Sequence, residues 1–164
     1  AQPAQGGQDL GQALAAFART LEAECGSQFA LQVSGAPRAL ATVAWHELYN
    51  IGREALFNAY RHADARRIEV GIEYGATQFS LVVRDDGRGI DPAIRCAGGR
   101  EGHWGLAGMR ERALALGGAL ELNARHETGT EIALRIPAYK AYRRPSRPGL
   151  RQRLQALRER LLRR

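Results

Sequence analysis

Between residues 86 and 105 the chain carries Gly87, Gly89, Gly98, Gly99, Gly102 and Gly105. Glycine has more backbone freedom to lose on folding than any other residue, so a run this dense resists both helix and strand. The segment predicts a mobile loop, and the regular elements must fall before and after it.

Before the loop, Leu10, Leu14, Phe17 and Leu21 recur at helical spacing, with Asp9 placed to cap the start and Gly26 to end it. Phe29, Leu31 and Val33 alternate as in a half-buried strand that Gly35 and Pro37 break. From Ala39 to about His62, the positions Leu40, Val43, Leu48, Ile51, Ala55, Leu56 and Ala59 fit a long helix with one polar stripe. Ile68, Val70 and Ile72, then Phe79, Leu81 and Val83, predict two strands joined at Gly75. Beyond the loop come a helix from about Leu106 to Leu116 and strands around Leu120–Ala124 and Thr130–Ile136, with a turn near Glu127–Gly129. The order α-β-α-β-β-loop-α-β-β predicts an α+β fold with helices covering one face of a mixed sheet.

The net charge of +7 suggests an anionic partner until the charges are placed. Residues 139–164 hold ten Lys and Arg and one acid, which leaves 14 basic and 16 acidic residues for 1–138. The basic character thus belongs to the tail, and a nucleic-acid-binding face on the folded part is not expected. Residues 1–8 read as a linker, 9–138 as one domain and 139–164 as a basic appendage. In the appendage Leu150, Leu154, Leu157 and Leu161 suit an amphipathic helix that can meet anionic lipid, and a solvated, disordered tail is the competing expectation. No stretch approaches the roughly 20 apolar residues of a membrane span. Cys25 and Cys96 form neither a disulfide framework nor a metal pair, so a cytoplasmic setting is expected.

Three segments carry chemistry. In REALFNAYRHA, Glu54 and Asn58 lie four apart and share a helix face. A carboxylate beside a carboxamide can hold a hard cation and orient a hydroxyl or water, although E-x-x-x-N also occurs on plain solvated faces. In VVRDDGRGI, acids end an apolar strand where glycines begin. Such a carboxylate can accept from an exocyclic amine, and D-D-G is equally an ordinary turn. In EGHWGLAGMRER, Gly102, Gly105 and Gly108 surround a helix start whose free N–H groups attract phosphate, or else serve as a connection and cap. Neither GxxxxGK[ST] nor a strand-linked GxGxxG is present.

In this order and at these separations, the segments resemble the N, G1 and G2 boxes of the superfamily of gyrase, heat-shock chaperone, histidine kinase and mismatch-repair ATPases, over about residues 9–137. RHA and GLAGMRERALALGG are similar to histidine kinases of the nitrate-sensor type. The resemblance implies a two-layer sandwich of the Bergerat type with a flexible ATP lid. It implies that Glu54 polarises the attacking group, that Asn58 binds Mg2+, and that Arg61 and His62 lie near the phosphates. Asp85 would bind the adenine amine, with Gly87 and Gly89 shaping the pocket and Thr130 supporting the same contact. Gly102, Gly105, Leu106 and Gly108 would form the lid and helix start. Trp104 and Asp86 depart from the usual pattern, which has a shorter G2 box and an Asn after the acid.

The implied activity is phosphoryl transfer from Mg-ATP to a histidine on a separate dimerisation domain, and from there to a response regulator, by a cytoplasmic domain whose parent protein is either anchored in the inner membrane or free of it. A superfamily ATPase, an anti-sigma-type serine kinase and a non-catalytic nucleotide-binding scaffold are the alternatives. His46 is not the acceptor, because it precedes Glu54 by two turns of the same helix, and HELYN lacks a second zinc ligand at Asn50. His103 and His126 fall in loops.

Overall fold

Asp9 starts the first helix: its carboxylate accepts a hydrogen bond from the Gln12 N–H at 2.8 Å, satisfying one of the donors that a helix start leaves open. In the computed structural model, which describes residues 9–89, 104–125 and 128–144, α1 spans Leu10–Cys25 and closes on Gly26 in the left-handed conformation. There follow β1 (Gln28–Gly35), α2 (Thr42–His62), β2 (Arg67–Tyr74), β3 (Gln78–Asp85), α3 (Trp104–Ala115), β4 (Ala119–Arg125), β5 (Gly129–Pro137) and a single turn, α4 (Ala138–Ala141).

The sheet runs β1-β2-β3-β5-β4. β1 and β2 are parallel, and the other pairs are antiparallel. Register aligns Ile72, Leu81 and Leu134, and likewise Val70, Val83 and Ile132, on one face. All six are buried under the helices, where they join Leu14, Leu48, Ile51 and Leu56 from α1 and α2. Each such side chain contributes about 1.5–3 kcal/mol on leaving water. The opposite face is solvated and carries the ion pairs Arg67–Glu69, Arg84–Glu131 and Arg135–Glu121. This is the expected mixed sheet with helices on one side.

α3 runs antiparallel to α2. Arg112 reaches Glu47 at 3.2 Å, and Gly105 lies against Glu54, so contacts seven residues apart on one helix meet contacts seven apart on the other.

Three expectations need correction. Val43 is 69% exposed, because the first turn of α2 points that side chain outward rather than onto α1. Val33 is 49% exposed, since β1 is an edge strand at which the helix layer ends. The folded part also does not stop at residue 138. The Ala41 N–H donates to the Ala141 carbonyl and the Arg143 N–H to the Ala39 carbonyl, both at 2.8 Å. The Tyr142 hydroxyl donates to the Gly75 carbonyl at 2.9 Å, and the Arg38 guanidinium lies 3.7 Å over the Tyr142 ring. Ala141 and Tyr142 are core residues. The glycine-rich segment from residue 90 to 103, with Cys96, Gly102 and His103, lies outside the described residues. So do His126, Glu127 and the leucine-spaced segment 145–164.

The elements define two poles. At one, α1 and α2 end, β3 ends at Asp85 and β5 begins at Gly129, with Thr130 paired to Asp85. At the other lie the β2–β3 turn, the start of α1 and the strap formed by residues 138–143.

Candidate nucleotide site

Asp85 ends β3 with the same parity as Val83, Leu81 and Phe79, so its carboxylate faces the helix layer. Its Oδ1 accepts from the Gly87 N–H at 3.0 Å and from the Thr130 N–H at 3.2 Å. Burial pushes the carboxyl above the ordinary aspartate range, and the Gly87 and Thr130 hydrogen bonds pull part of the way back. The result is a partly desolvated acceptor, oriented by backbone and facing the pole. That chemistry suits an amine donor such as the exocyclic amino group of adenine.

The neighbouring carboxylate does something else. Asp86 Oδ1 accepts from the Arg66 and Arg67 N–H groups, both at 2.8 Å, fastening the entry to β2. A side-chain oxygen of Asn can accept the same two bonds, so Asp86 departs from the family pattern without losing this role. Within D-D-G, the first acid makes the local turn bond to Gly87 and reaches β5, and the second ties that turn to the start of β2.

Two close approaches fix the backbone around Asp85. A Cβ on Gly87 would stand 2.1 Å from the Ala63 carbonyl oxygen, at the end of α2. A Cβ on Gly129, whose φ is +95°, would stand 1.9 Å from the Asp85 carbonyl oxygen. Both positions require glycine. Gly129 was not among the expected site residues; its only sequence signal is a glycine directly before Thr130 at a strand start. Gly89 also takes a left-handed φ of +74°.

On α2, Glu54 and Asn58 are half-buried and one turn apart. Asn58 lies five residues, about 7.5 Å of helix rise, before Ala63. A Cβ on Gly105 would fall 2.2 Å from Glu54 Oε1, so the start of α3 rests on that carboxylate. Leu106 packs on the core, whereas a Cβ on Gly108 would meet open space. Arg61 is exposed, pairs with Glu24 at 3.7 Å and lies 5.5 Å over the Phe57 ring. The His62 ring meets Phe57 edge-on, and its carbonyl accepts from Arg88. The structure thus joins Asp85, Gly87 and Thr130 directly and Glu54 to Gly105, while Arg61 is turned toward α1. Among the described residues no group of three or more His, Cys, Asp or Glu could hold a metal ion. A magnesium ion here would rely on the Asn58 oxygen together with phosphate oxygens and water, which fits its reluctance to dehydrate.

A mixed sheet covered on one face by helices, a half-buried acid at a strand end and an acid–amide pair on the adjoining helix define an ATP-binding catalytic domain of the histidine-kinase type. The chain belongs to the family described as "Histidine kinase-, DNA gyrase B-, and HSP90-like ATPase", which it matches over residues 45–140. It is 38% identical over 90 residues to the signal transduction histidine-protein kinase/phosphatase DegS of Brevibacillus brevis, a match spanning 55% of this chain and 22% of DegS. It is 31% identical over 131 residues to the nitrate/nitrite sensor protein NarX of Escherichia coli (strain K12), spanning 79% of this chain and 21% of NarX. The match thus spans about a fifth of the length of these relatives. Among solved structures, the catalytic domain of histidine kinase ThkA superposes with a TM-score of 0.67 at 15% identity, over 80% of this chain and 93% of that one. The histidine kinase domain of the Erythrobacter litoralis EL346 blue-light activated kinase gives 0.63 at 24% identity, over 85% and 67%. At these identities both speak for the fold. Among the described residues no helix is long and apolar enough to cross a membrane.

Proposed function

We propose that the domain binds ATP with Mg2+ and passes the γ-phosphoryl group to a histidine on a separate dimerisation domain, from which a response regulator takes it. The observation that supports the reading is the Asp85 carboxylate, held by the Gly87 and Thr130 N–H groups beside the end of α2, with the Glu54–Asn58 pair on that same helix and Gly105 resting on Glu54. Asp85 accepts from the adenine amine while Thr130 and Gly87 hold its other oxygen. Asn58 offers the metal an oxygen, and bound magnesium neutralises phosphate charge. Glu54 polarises the incoming imidazole by accepting the proton of one ring nitrogen while the other, unprotonated nitrogen forms the N–P bond as the bond from phosphorus to the β,γ-bridging oxygen breaks, leaving ADP. Arg61, His62 and the segment through Gly102, Gly105, Leu106 and Gly108 serve the phosphate side, Arg61 after leaving Glu24. Gly87 and Gly89 keep the adenine floor open.

The test supplies γ-labelled Mg-ATP and the histidine-bearing dimerisation domain of the parent kinase in trans. Acid-labile label should appear on that domain. ATP hydrolysis without transfer, or acid-stable label on serine, would replace the reading by a plain ATPase or a serine kinase.

A second part of the proposal concerns residues 145–164, which contain seven arginines and one acid. The described residues end at Arg144, next to the strap at the pole remote from Asp85, and attachment to an anionic membrane surface at that pole would leave the nucleotide unobstructed. With about 1 kcal/mol per well-placed cation, the whole chain should co-sediment with anionic vesicles, less so at high salt and not with neutral ones. Deleting 145–164 should abolish this and leave nucleotide affinity unchanged. Equal sedimentation by the truncated chain would refute the attachment.

A further inference from the structure

Helix α2 ends at His62 without a glycine terminator; its capping residue, Ala63, is in the right-handed helical region. Its last carbonyls would therefore lack donors. The donors come from the loop after β3. The Arg88 N–H donates to the Ala63 carbonyl at 2.8 Å, and Arg88 Nε donates to the His62 carbonyl, also at 2.8 Å, from 26 residues further along the chain. The guanidinium also stands at the negative end of the helix dipole. Gly87 makes the approach close enough, since any Cβ there would strike Ala63.

Arg88 sits between the two halves of the site. On one side its neighbour Gly87 holds Asp85 Oδ1; on the other, Asn58 stands one turn before His62 on the helix that Arg88 caps. We propose that Arg88 is a positioning residue that staples the Asp85 turn to the end of α2, so that the adenine-binding acid and the metal-binding helix hold a fixed separation. This rests on the nucleotide-binding reading above. The Arg88 side chain reaches the helix through a single Nε donor, so a lysine ammonium can replace it, whereas alanine keeps only the main-chain bond.

Two measurements on Arg88→Ala and Arg88→Lys test the staple. Calorimetry with Mg2+ and a non-hydrolysable ATP analogue should show Arg88→Ala weaker by about fivefold, the worth of one such hydrogen bond, with Arg88→Lys within about twofold of the parent. Residue-resolved amide exchange on the nucleotide-free chain should show the Gly87 and Thr130 amides exchanging faster in Arg88→Ala by about the same factor, α1 and β1 unchanged, and recovery in Arg88→Lys. Parent-like exchange at Gly87 and Thr130 in the alanine variant would overturn the staple, as would acceleration spread equally over α1 and β1. If the parent chain bound no nucleotide, the functional reading would fall, and the exchange measurement would still decide the staple.

Discussion

Asp85→Asn should remove nucleotide affinity and at the same time make the empty domain more stable at neutral pH. Asp85→Ala deletes a charged acceptor from a partly desolvated site, a loss of roughly 1.5–3 kcal/mol or about ten- to a hundredfold in affinity. Asp85→Asn is the sharper variant: its oxygen can still accept from Gly87 and Thr130, but the remaining group becomes a donor facing the adenine amine. Burial raises the Asp85 carboxyl above the ordinary 3.8, so the folded state holds this proton more tightly than the unfolded state does. The stability from this group is therefore fully present below 3.8 and is lost as pH rises through the raised folded value. At neutral pH the parent bears the cost of a buried charge that Asp85→Asn lacks, and at acid pH the two should converge. Thermal unfolding across pH, with calorimetry for the nucleotide, checks both halves. Binding by the parent should weaken on acidification sooner than an ordinary aspartate would allow. An Asp85→Asn variant that binds ATP as the parent does would sink the adenine assignment.

Glu54→Gln should separate binding from chemistry. The substitution keeps the side chain's size, so the resting contact of Gly105 on α2 survives, but the group can no longer accept a proton from the attacking imidazole. Loss of a positioned general base costs typically 10²–10⁴-fold. Transfer to the supplied histidine domain should fall by about that factor, with affinity for the Mg-ATP analogue within about twofold. Parent-rate transfer would reduce Glu54 to a support for the start of α3, and loss of binding would place it among the nucleotide ligands instead.

The element order was legible because each element advertises its own period: Leu10, Leu14 and Leu21 for α1, and Val70, Ile72, Leu81 and Val83 for the central strands are all buried as the pattern requires. What escaped depends on partners far away in the chain. Arg38 and Tyr142 stack across more than a hundred residues, and the density of Lys140, Arg143 and Arg144 hid the one buried tyrosine among them. Gly129 is forced by the backbone of Asp85, an approach that no local pattern encodes. The roles of Asp85 and Asp86 were separable only once β5 and the entry to β2 had been placed on opposite sides of the same turn. Val43 was misplaced because the buried stripe of α2 runs through Ala44 and Leu48, one position round the helix from it.

The strap of residues 138–143 fixes the geometry by which this domain can be handled. It ties the chain's exit to the start of α2 and the β2–β3 turn, and α1 begins at the same end, where Gly11 faces Leu31 and Ile72. Any polypeptide joined at either side therefore grips the domain by its back, a full sheet length from Asp85. Reorienting such a joint swings the nucleotide pole through an arc without bending a strand or loosening a pocket bond.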